Sequence, residues 1–411
     1  MHRIVVIAVA PVIAFDLSIP ELIFSKVEVD GQRAYDVRVC AAEPGVLESD
    51  GPFDVCVREG LDAVADADTV MVTGGMARAD VPTAVLTALR TAAAAGKRVA
   101  SICTGAFVLA EAGLPTARQF AESGERVRQI TRSGRGVDHP LVELVAADIN
   151  DADRLTELTE GARVLVNCAV PPQDRWAVDI PPMAAALLTA VERTGAGYVM
   201  LGNSYGYGPV DGPMTEDLPM AATTVKGRAR AQMWLDALAA QEAGRARVTE
   251  VRSGAFLGPG PVGAYAMFVL APVLAGKVAS WPGDPDAPKG WHYTEDIART
   301  LVAASRNDRA WGHAWHVPAT SAIPVRELTE RLADLAGAPA PQIDRLYRDD
   351  LITLARQQPL FGELVEILYS NEHPNVLDST RTEAVLGIRA TPLETVLQAT
   401  LAGAVNAQPI G

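Results

Sequence analysis

Residues 99–123 read VASICTGAFVLAEAGLPTARQFAES, and the reading of this stretch decides how the chain divides. Its front half is a strand that runs into a turn carrying Cys103. Its back half, from Pro115, reads as the tail of a helix that belongs to a different unit. Either one strand-turn-helix serves two sheets, or the stretch is a seam between two α/β units.

Composition narrows the classes. A chain of 411 residues is long enough for two domains, each with its own core. A net charge of −14 and the absence of a basic run argue against nucleic acid as a partner. Four cysteines (Cys40, Cys56, Cys103, Cys168) stand far apart with no CxxC pair, which fits a reducing cytoplasm and argues against a disulfide framework or a zinc site. The apolar opening IVVIAVAPVIAF (4–15) lacks a cleavage site and continues into DLSIPELIF, so it is expected to fold rather than to act as a signal. Gly and Pro interrupt the uncharged run 253–276, which rules it out as a spanning helix.

Short apolar strands alternate with helices, the pattern of a parallel sheet covered on both faces. RIVVIAV, YDVRVCAA, TVMVTGG and RVASIC are expected as strands of a first unit. RVRQITRSG, LVELVAADI, ARVLVNCAV, GYVMLGNS and RVTEVRSGAF are expected as strands of a second. Helices are predicted over VPTAVLTALRTAAAAG, PPMAAALLTAVERTG and KGRARAQMWLDALAAQEAG. From Gly258 the rhythm breaks into what reads as a small irregular lobe. The expected fold class is therefore α/β: a flavodoxin-like N-terminal unit (1–114), then a Rossmann-like parallel sheet with a small C-terminal lobe (115–411).

Cys103 sits at a strand-to-helix elbow, where the helix N-terminus favours a thiolate and the following N–H groups face an oxyanion. A lone buried cysteine also commonly has a packing role, and both readings stay open. FDLSIPELIF, TVMVTGGM and RVASICTGAFVLAEAGL together resemble the ThiJ/PfpI superfamily, in particular the sensor domain of AraC-type regulators and the isonitrile-hydratase branch. The resemblance covers about residues 3–114. It implies Cys103 as nucleophile with Thr104 beside it, Asp16 as the facing acid, and Gly74-Gly75 as a tight turn. Nothing after Leu114 matches that family's further strands, so the unit is expected to be truncated. A regulator of that type also needs a DNA-binding module, and with no helix-turn-helix pattern in the sequence a DNA output is not expected.

From Pro115 to about residue 402 the chain resembles an extended short-chain dehydrogenase/reductase of the epimerase/dehydratase-like group. The landmarks are ARQFAESGERVRQITRSG, LVELVAADINDADRLTELTEGARVLVNCAV, VRSGAFLGPG, HYTEDIART and DSTRTEAVLGIRATPLETVLQATL. This resemblance implies NAD or NADP as cofactor. Arg132 and Ser133 fall at the adenosine ribose, Asp148 and Ile149 at the adenine, and Cys168, Ala169 and Val170 at the nicotinamide half.

The motifs of chemistry depart from that pattern. Pyrophosphate needs a Gly-rich first turn, and here CTGAFVLAEAGL offers only Gly105 and Gly113 with bulky residues between. The family's tyrosine, activated by a lysine four residues on, is replaced in TTVKGRARAQ by Lys226, with Arg230 at the lysine's place. Asn203 stands at the Ser/Thr position beside Ser204, and Tyr205 or Tyr207 is an alternative proton donor. Glu216-Asp217 reads as a solvated acidic pair. His292, His313, His316 and His373 show no metal spacing, and Trp281, Trp291, Trp311 and Trp315 either line a pocket or pack the lobe.

A strand has two edges. If RVASIC pairs with TVMVTGG, it cannot also stand between the reductase's second and fourth strands. The expected outcomes are a single continuous sheet or a reductase core with a central gap. The expected function is an atypical NAD(P)-dependent epimerase/dehydratase-like oxidoreductase acting on a small-molecule, small or sugar-like, substrate. Two alternatives remain, a non-catalytic binding or scaffold protein and a Cys103-dependent hydratase or hydrolase. Neither nucleic acid nor membrane is expected as a partner, and a homodimer is left open.

Overall fold

The computed structural model describes residues 2–10, 12, 17–18, 20–21, 24, 28–29, 32–49, 54–73, 82–94, 97–101, 115–132, 134, 136–137, 139–259, 263–356 and 360–407. The chain forms two compact units, residues 1–114 with 402–411 and residues 115–401.

The first unit is built on β1 (His2–Ala8), β2 (Tyr35–Ala41), β3 (Glu59–Gly60), β4 (Thr69–Val72), helix α1 (Thr83–Ala94) and β5 (Arg98–Ser101). These strands form one parallel sheet in the order β3-β2-β1-β4-β5. From Ile4 to Ala8, β1 is apolar without a break because both its faces are buried there. Val5 and Ile7 pack with Val70, Val72 and Leu89 on one side, and Ile4 and Val6 with Val57 and Met71 on the other. Among the described residues β5 pairs only with β4, from Thr69–Arg98 to Val72–Ser101, and forms the sheet's edge.

The second unit begins with α2 (Pro115–Glu122), β6 (Val127–Thr131), β7 (Val142–Ala146), α3 (Ala152–Thr159), β8 (Val164–Asn167), α4 (Trp176–Thr194), β9 (Gly197–Asn203), α5 (Val225–Glu242) and β10 (Val248–Ser253). Then come β11 (Ala255–Leu257), β12 (Ala279–Pro282), β13 (Trp291–Tyr293), α6 (Thr294–Arg306), β14 (Ala314–His316), α7 (Val325–Ala336), β15 (Ile343–Leu346), α8 (Leu360–Ile367), α9 (Thr380–Leu386) and α10 (Leu393–Ala407). The four strands β8-β9-β10-β14 make one parallel sheet, and β6-β7 make another. Among the described residues no strand joins β6 to β8.

Local chemistry explains the element boundaries. Asp151 caps α3 by accepting from the Arg154 N–H at 2.9 Å, and Thr224 caps α5 through the Gly227 N–H at 3.2 Å. α4 closes on Gly195 in the left-handed conformation, φ 75°. It starts earlier than PPMAAALL predicts, because Trp176 opens the helix and Pro181-Pro182 lie inside it. Those prolines remove two N–H donors, and packing of Trp176, Ile180, Met183 and Leu187 against Tyr198 and Met200 offsets the loss.

The four-stranded sheet is covered on both faces, as a Rossmann-like fold requires. α4 and α5 cover one side with Leu187, Ala190, Met233 and Trp234, while α6 covers the other with Ile297 and Leu301 on Val199 and Val251. α2 packs on α6: Gln119 Nε2 donates to Glu295 Oε2 at 2.8 Å, and Arg306 pairs with Glu125 at 2.5 Å beside the Phe120 ring. The back half of the seam is therefore an integral part of the second unit. The small lobe has its own core of Tyr265, Trp281, Trp291, Leu328, Leu332 and Val396, with β11 paired to β13 and β12 to β15. Trp281, Trp291 and Trp315 are buried, and Trp281 and Trp291 pack in the core of the lobe. No helix among the described residues is long and apolar enough to cross a membrane.

Candidate active site

Ligands of open α/β sheets sit beyond the carboxyl ends of the strands. At the end of β6, Arg132 is exposed, and it has no ion-pair partner among the described residues. At the end of β7, the exposed Asp148 carboxylate accepts from Asn150 N and Nδ2 at 2.9 and 3.1 Å through one oxygen. Its other oxygen remains available, and Ile149 beside it is half-buried. An uncommitted guanidinium and a half-committed carboxylate are a donor and acceptor set that fits the adenosine half of a dinucleotide.

The reaction end differs. Lys226 is 2% exposed and is committed to α8, with Nζ 2.8 Å from Glu363 Oε2 and 3.1 Å from the Glu363 carbonyl. Arg230, 8% exposed, stacks 4.7 Å above Trp176, and its Nη1 reaches only the Leu201 carbonyl at 3.5 Å. Burial lowers the Arg230 pKa, and its Nε has no hydrogen-bond partner. Tyr205 packs on the other part of Trp176 at 6.1 Å, and burial raises its pKa. Trp176 thus holds both cations in a closed stack. The residues do not supply a tyrosine–lysine proton relay.

Tyr207 is equally committed. It is 1% exposed; its hydroxyl accepts from Arg252 Nη1 at 2.6 Å and bonds His316 Nε2 at 2.6 Å. Burial, opposed by Arg252, pushes its pKa up to about 12. Behind it Arg252 pairs with Glu250 at 2.6 Å, and His316 Nδ1 contacts the Asp378 carbonyl at 2.9 Å. This Glu250–Arg252–Tyr207–His316 chain was not singled out in the sequence, although charged residues alternating inside VTEVRS, an otherwise buried strand, were its signal. Glu216 also departs from the solvated pair expected: it is half-buried, accepts from His316 N at 3.3 Å, and burial raises its pKa, whereas Asp217 is 86% exposed.

Asn203 accepts from Tyr205 N at 3.1 Å through its carbonyl oxygen, which leaves its amide N–H₂ to donate; Ser204 next to it is buried. Cys168 lies at the end of β8, 3.8 Å from Thr116 Oγ1, with its thiol pushed up to about 11 by burial. Ala169 is exposed, and its N–H donates to Asn167 Oδ1 at 2.9 Å. Asp16, Gly74, Gly75, Cys103, Thr104, Gly105, Gly113 and Ser133 lie outside the described residues. His292 and His316 are fully buried, and among the described residues no group of three His, Cys, Asp or Glu forms a metal cluster.

Comparison with known proteins gives both halves a family. The model of the NAD dependent epimerase/dehydratase family matches residues 112–317, half of the chain. The DJ-1/PfpI family model matches residues 2–134, past Leu114, so the two overlap over 112–134. A Streptomyces lividans protein described as uncharacterized, in the cpoL 5' region, is 32% identical over 133 residues, 32% of this chain and 94% of that protein. Among solved structures, the Bordetella bronchiseptica enzyme WbmH in complex with NAD+ is 20% identical, with TM-score 0.54, over 70% of this chain and 93% of that one. A UDP-glucose 4-epimerase from Thermotoga maritima with UDP-glucose is 17% identical, with TM-score 0.58, over 71% and 96%. An epimerase of Methanothermobacter thermautotrophicus is 17% identical, with TM-score 0.60, over 72% and 90%. The α/β fold of the second unit is the one these structures share, and the chain is a member of the NAD dependent epimerase/dehydratase family fused to a DJ-1/PfpI segment.

Proposed function

We propose that the chain is an atypical NAD(P)-dependent epimerase/dehydratase-like oxidoreductase for a small or sugar-like substrate. In this reading residues 1–114 are a shortened DJ-1/PfpI unit and residues 115–411 the dinucleotide domain. The observation that carries it is the free Arg132 and half-free Asp148 at the carboxyl ends of β6 and β7, where this fold takes adenosine. Arg132 suits a ribose or its 2′-phosphate, and Asp148 the ribose or adenine edge. Bound NAD supplies a reversible hydride acceptor. Lys226, Arg230 and Tyr207 are structural members of buried contacts, so the proton step is assigned to none of them. The Asn203 amide and Ser204 remain at the end of β9 to hold a substrate oxygen. Native mass spectrometry of the purified protein, followed by calorimetric titration with NAD+ and NADP+, tests this. Saturable binding that Asp148→Ala weakens about tenfold is expected, the loss of one charge-assisted hydrogen bond. No saturation with either dinucleotide defeats it.

A second reading, a binding protein without turnover, is favoured by the Trp176–Arg230 stack and the Lys226–Glu363 pair that close the reaction end. Dinucleotide binding without any change in nicotinamide absorbance across a panel of UDP-sugars selects it. Cysteine chemistry at Cys103 is tested separately: labelling by iodoacetamide at neutral pH no faster than a free thiol rejects it.

A further inference from the structure

Away from the carboxyl ends of β8–β10, a cavity of about 350 Å³ opens along β14, lined by Asp308, Arg309, Trp311, His313, Trp315 and Arg381. None of these residues belongs to the site described above. The volume lies at the lower end of the range for small-molecule pockets. Among the described residues β14 pairs only with β10.

Its walls are aromatic and cationic. Trp311 is half-buried and fixed in place, since a Cβ on Gly197 would lie 2.5 Å from its ring; Arg247 covers the ring at 4.9 Å. Trp315 forms the floor, anchored by Nε1 to the Ala310 carbonyl at 3.1 Å, and the exposed His313 ring meets it edge-on at 6.2 Å. Arg381 lies over Trp315 at 5.0 Å and is shared with the exposed Asp217 at only 3.2 Å. Arg309 is exposed and has no ion pair among the described residues. Asp308 is the one acid of the lining, and Asp217 pairs with Arg381 from outside it, which leaves Arg309 as the uncommitted cation. Burial and the charge of Arg381 lower the His313 pKa, which keeps that ring neutral and able to stack.

We propose that this cavity binds a small planar monoanion, an aromatic or heteroaromatic carboxylate, with its ring against Trp311 and His313 and its carboxylate held by Arg309 and Arg381. Rigid aromatic walls recognise a flat ring at little entropic cost, and a guanidinium pairs two N–H groups with a carboxylate. Isothermal calorimetry on the full chain with 2-naphthoate and its neutral isostere 2-naphthamide tests the site. A one-to-one isotherm for 2-naphthoate is expected, with the amide at least about tenfold weaker. Arg309→Ala, an exposed position whose replacement spares folding, is expected to weaken 2-naphthoate about tenfold, and Arg381→Gln similarly, while NAD+ titration is unchanged. No saturable heat up to the solubility limit, equal binding of the amide, or wild-type affinity in both arginine variants overturns the proposal.

Discussion

Replacing Glu250 with glutamine removes a charge on which two buried cations depend. Glu250 is 6% exposed and pairs with Arg252, 1% exposed, at 2.6 Å; its carboxylate also supports the charge of Arg230. Glutamine keeps the shape and the position on β10 but leaves two guanidinium groups on one face without a counter-ion. Breaking a buried pair from one side costs about 3–5 kcal/mol, and with two dependents the upper part of that range, about 4–5 kcal/mol, is expected. A cooperative unit of this size shifts by about 2 °C per kcal/mol, so the thermal midpoint falls by about 8–10 °C. The assay is urea and thermal unfolding followed by tryptophan fluorescence, with Trp234 as a local reporter 5.3 Å from Arg252. Glu143→Gln is the matched control: it breaks a pair with Arg128 of similar length, 2.9 Å, but Glu143 is 60% exposed, and such pairs are worth below about 1 kcal/mol. Equal losses in the two variants refute the reasoning. So does a Glu250→Gln/Arg252→Met double variant that recovers none of the stability.

Gly202→Ala places a Cβ 2.1 Å from Glu250 Oε1, so the same carboxylate must move; unfolding is expected to show a loss of about 2–4 kcal/mol, and a neutral result sinks the close-approach argument. Burial holds His292 and His316 neutral, with pKa values near about 3 and about 4, below the ordinary histidine value of about 6.5. The folded pKa is depressed, so the unfolded chain binds more protons: stability is full above about pH 6.5 and is lost as pH falls toward 4. The loss is about 1.4 kcal/mol per pH unit for each histidine, and urea midpoints compared between neutral and acidic buffer should show it halved in His316→Asn. Cys56 is exposed, whereas burial raises the Cys40 and Cys168 thiols to about 12 and about 11; among these three, mass spectrometry should find iodoacetamide on Cys56 first.

What the sequence made legible follows from how local each signal is. β1 from Ile4 onward, β8 and β9 are largely apolar runs bounded by turns, and their strand character needs no partner to be recognised. The sequence places the start of α4 too late, because two prolines argue against a helix that only the Trp176–Ile180–Met183 face sustains. β12, β14 and β15 are short and irregular, and each acquires its state from a pairing distant in the chain, such as Ala279–Ile343. The positions of Arg132 and Asp148 are legible because each closely follows a recognisable strand. The commitments of the reaction end were not. Lys226 and Arg230 read as a cationic pair able to meet a substrate, while Glu363 and Trp176, which occupy them, lie 137 and 50–54 residues away. Long-range partners decide whether a polar residue is free, and spacing along the chain does not encode them.

The same logic bears on the seam at Val99–Ser123. A parallel strand buried between two neighbours needs both of its edges filled, and β5 offers one of them to β4. In the second unit, β6 and β8 each have only one hydrogen-bonded neighbour among the described residues, β7 and β9 respectively. Two edges within the second unit, one on β6 and one on β8, thus have no hydrogen-bonded neighbour among the described residues. Edges left unpaired inside a core cost backbone hydrogen bonds, so β6-β7 must be held to the unit by other means. The contacts show which: α2 docks on α6 through Gln119 and Arg306, and Arg128 of β6 donates to the Leu158 carbonyl at the end of α3 at 2.8 Å. Severing the docking with Gln119→Ala and Arg306→Ala together should therefore release β6-β7 selectively. Hydrogen exchange is then expected to rise over residues 127–146 while residues 197–203 and 248–253 stay protected. Uniform exchange across both sheets in that variant means that the two sheets share a strand after all.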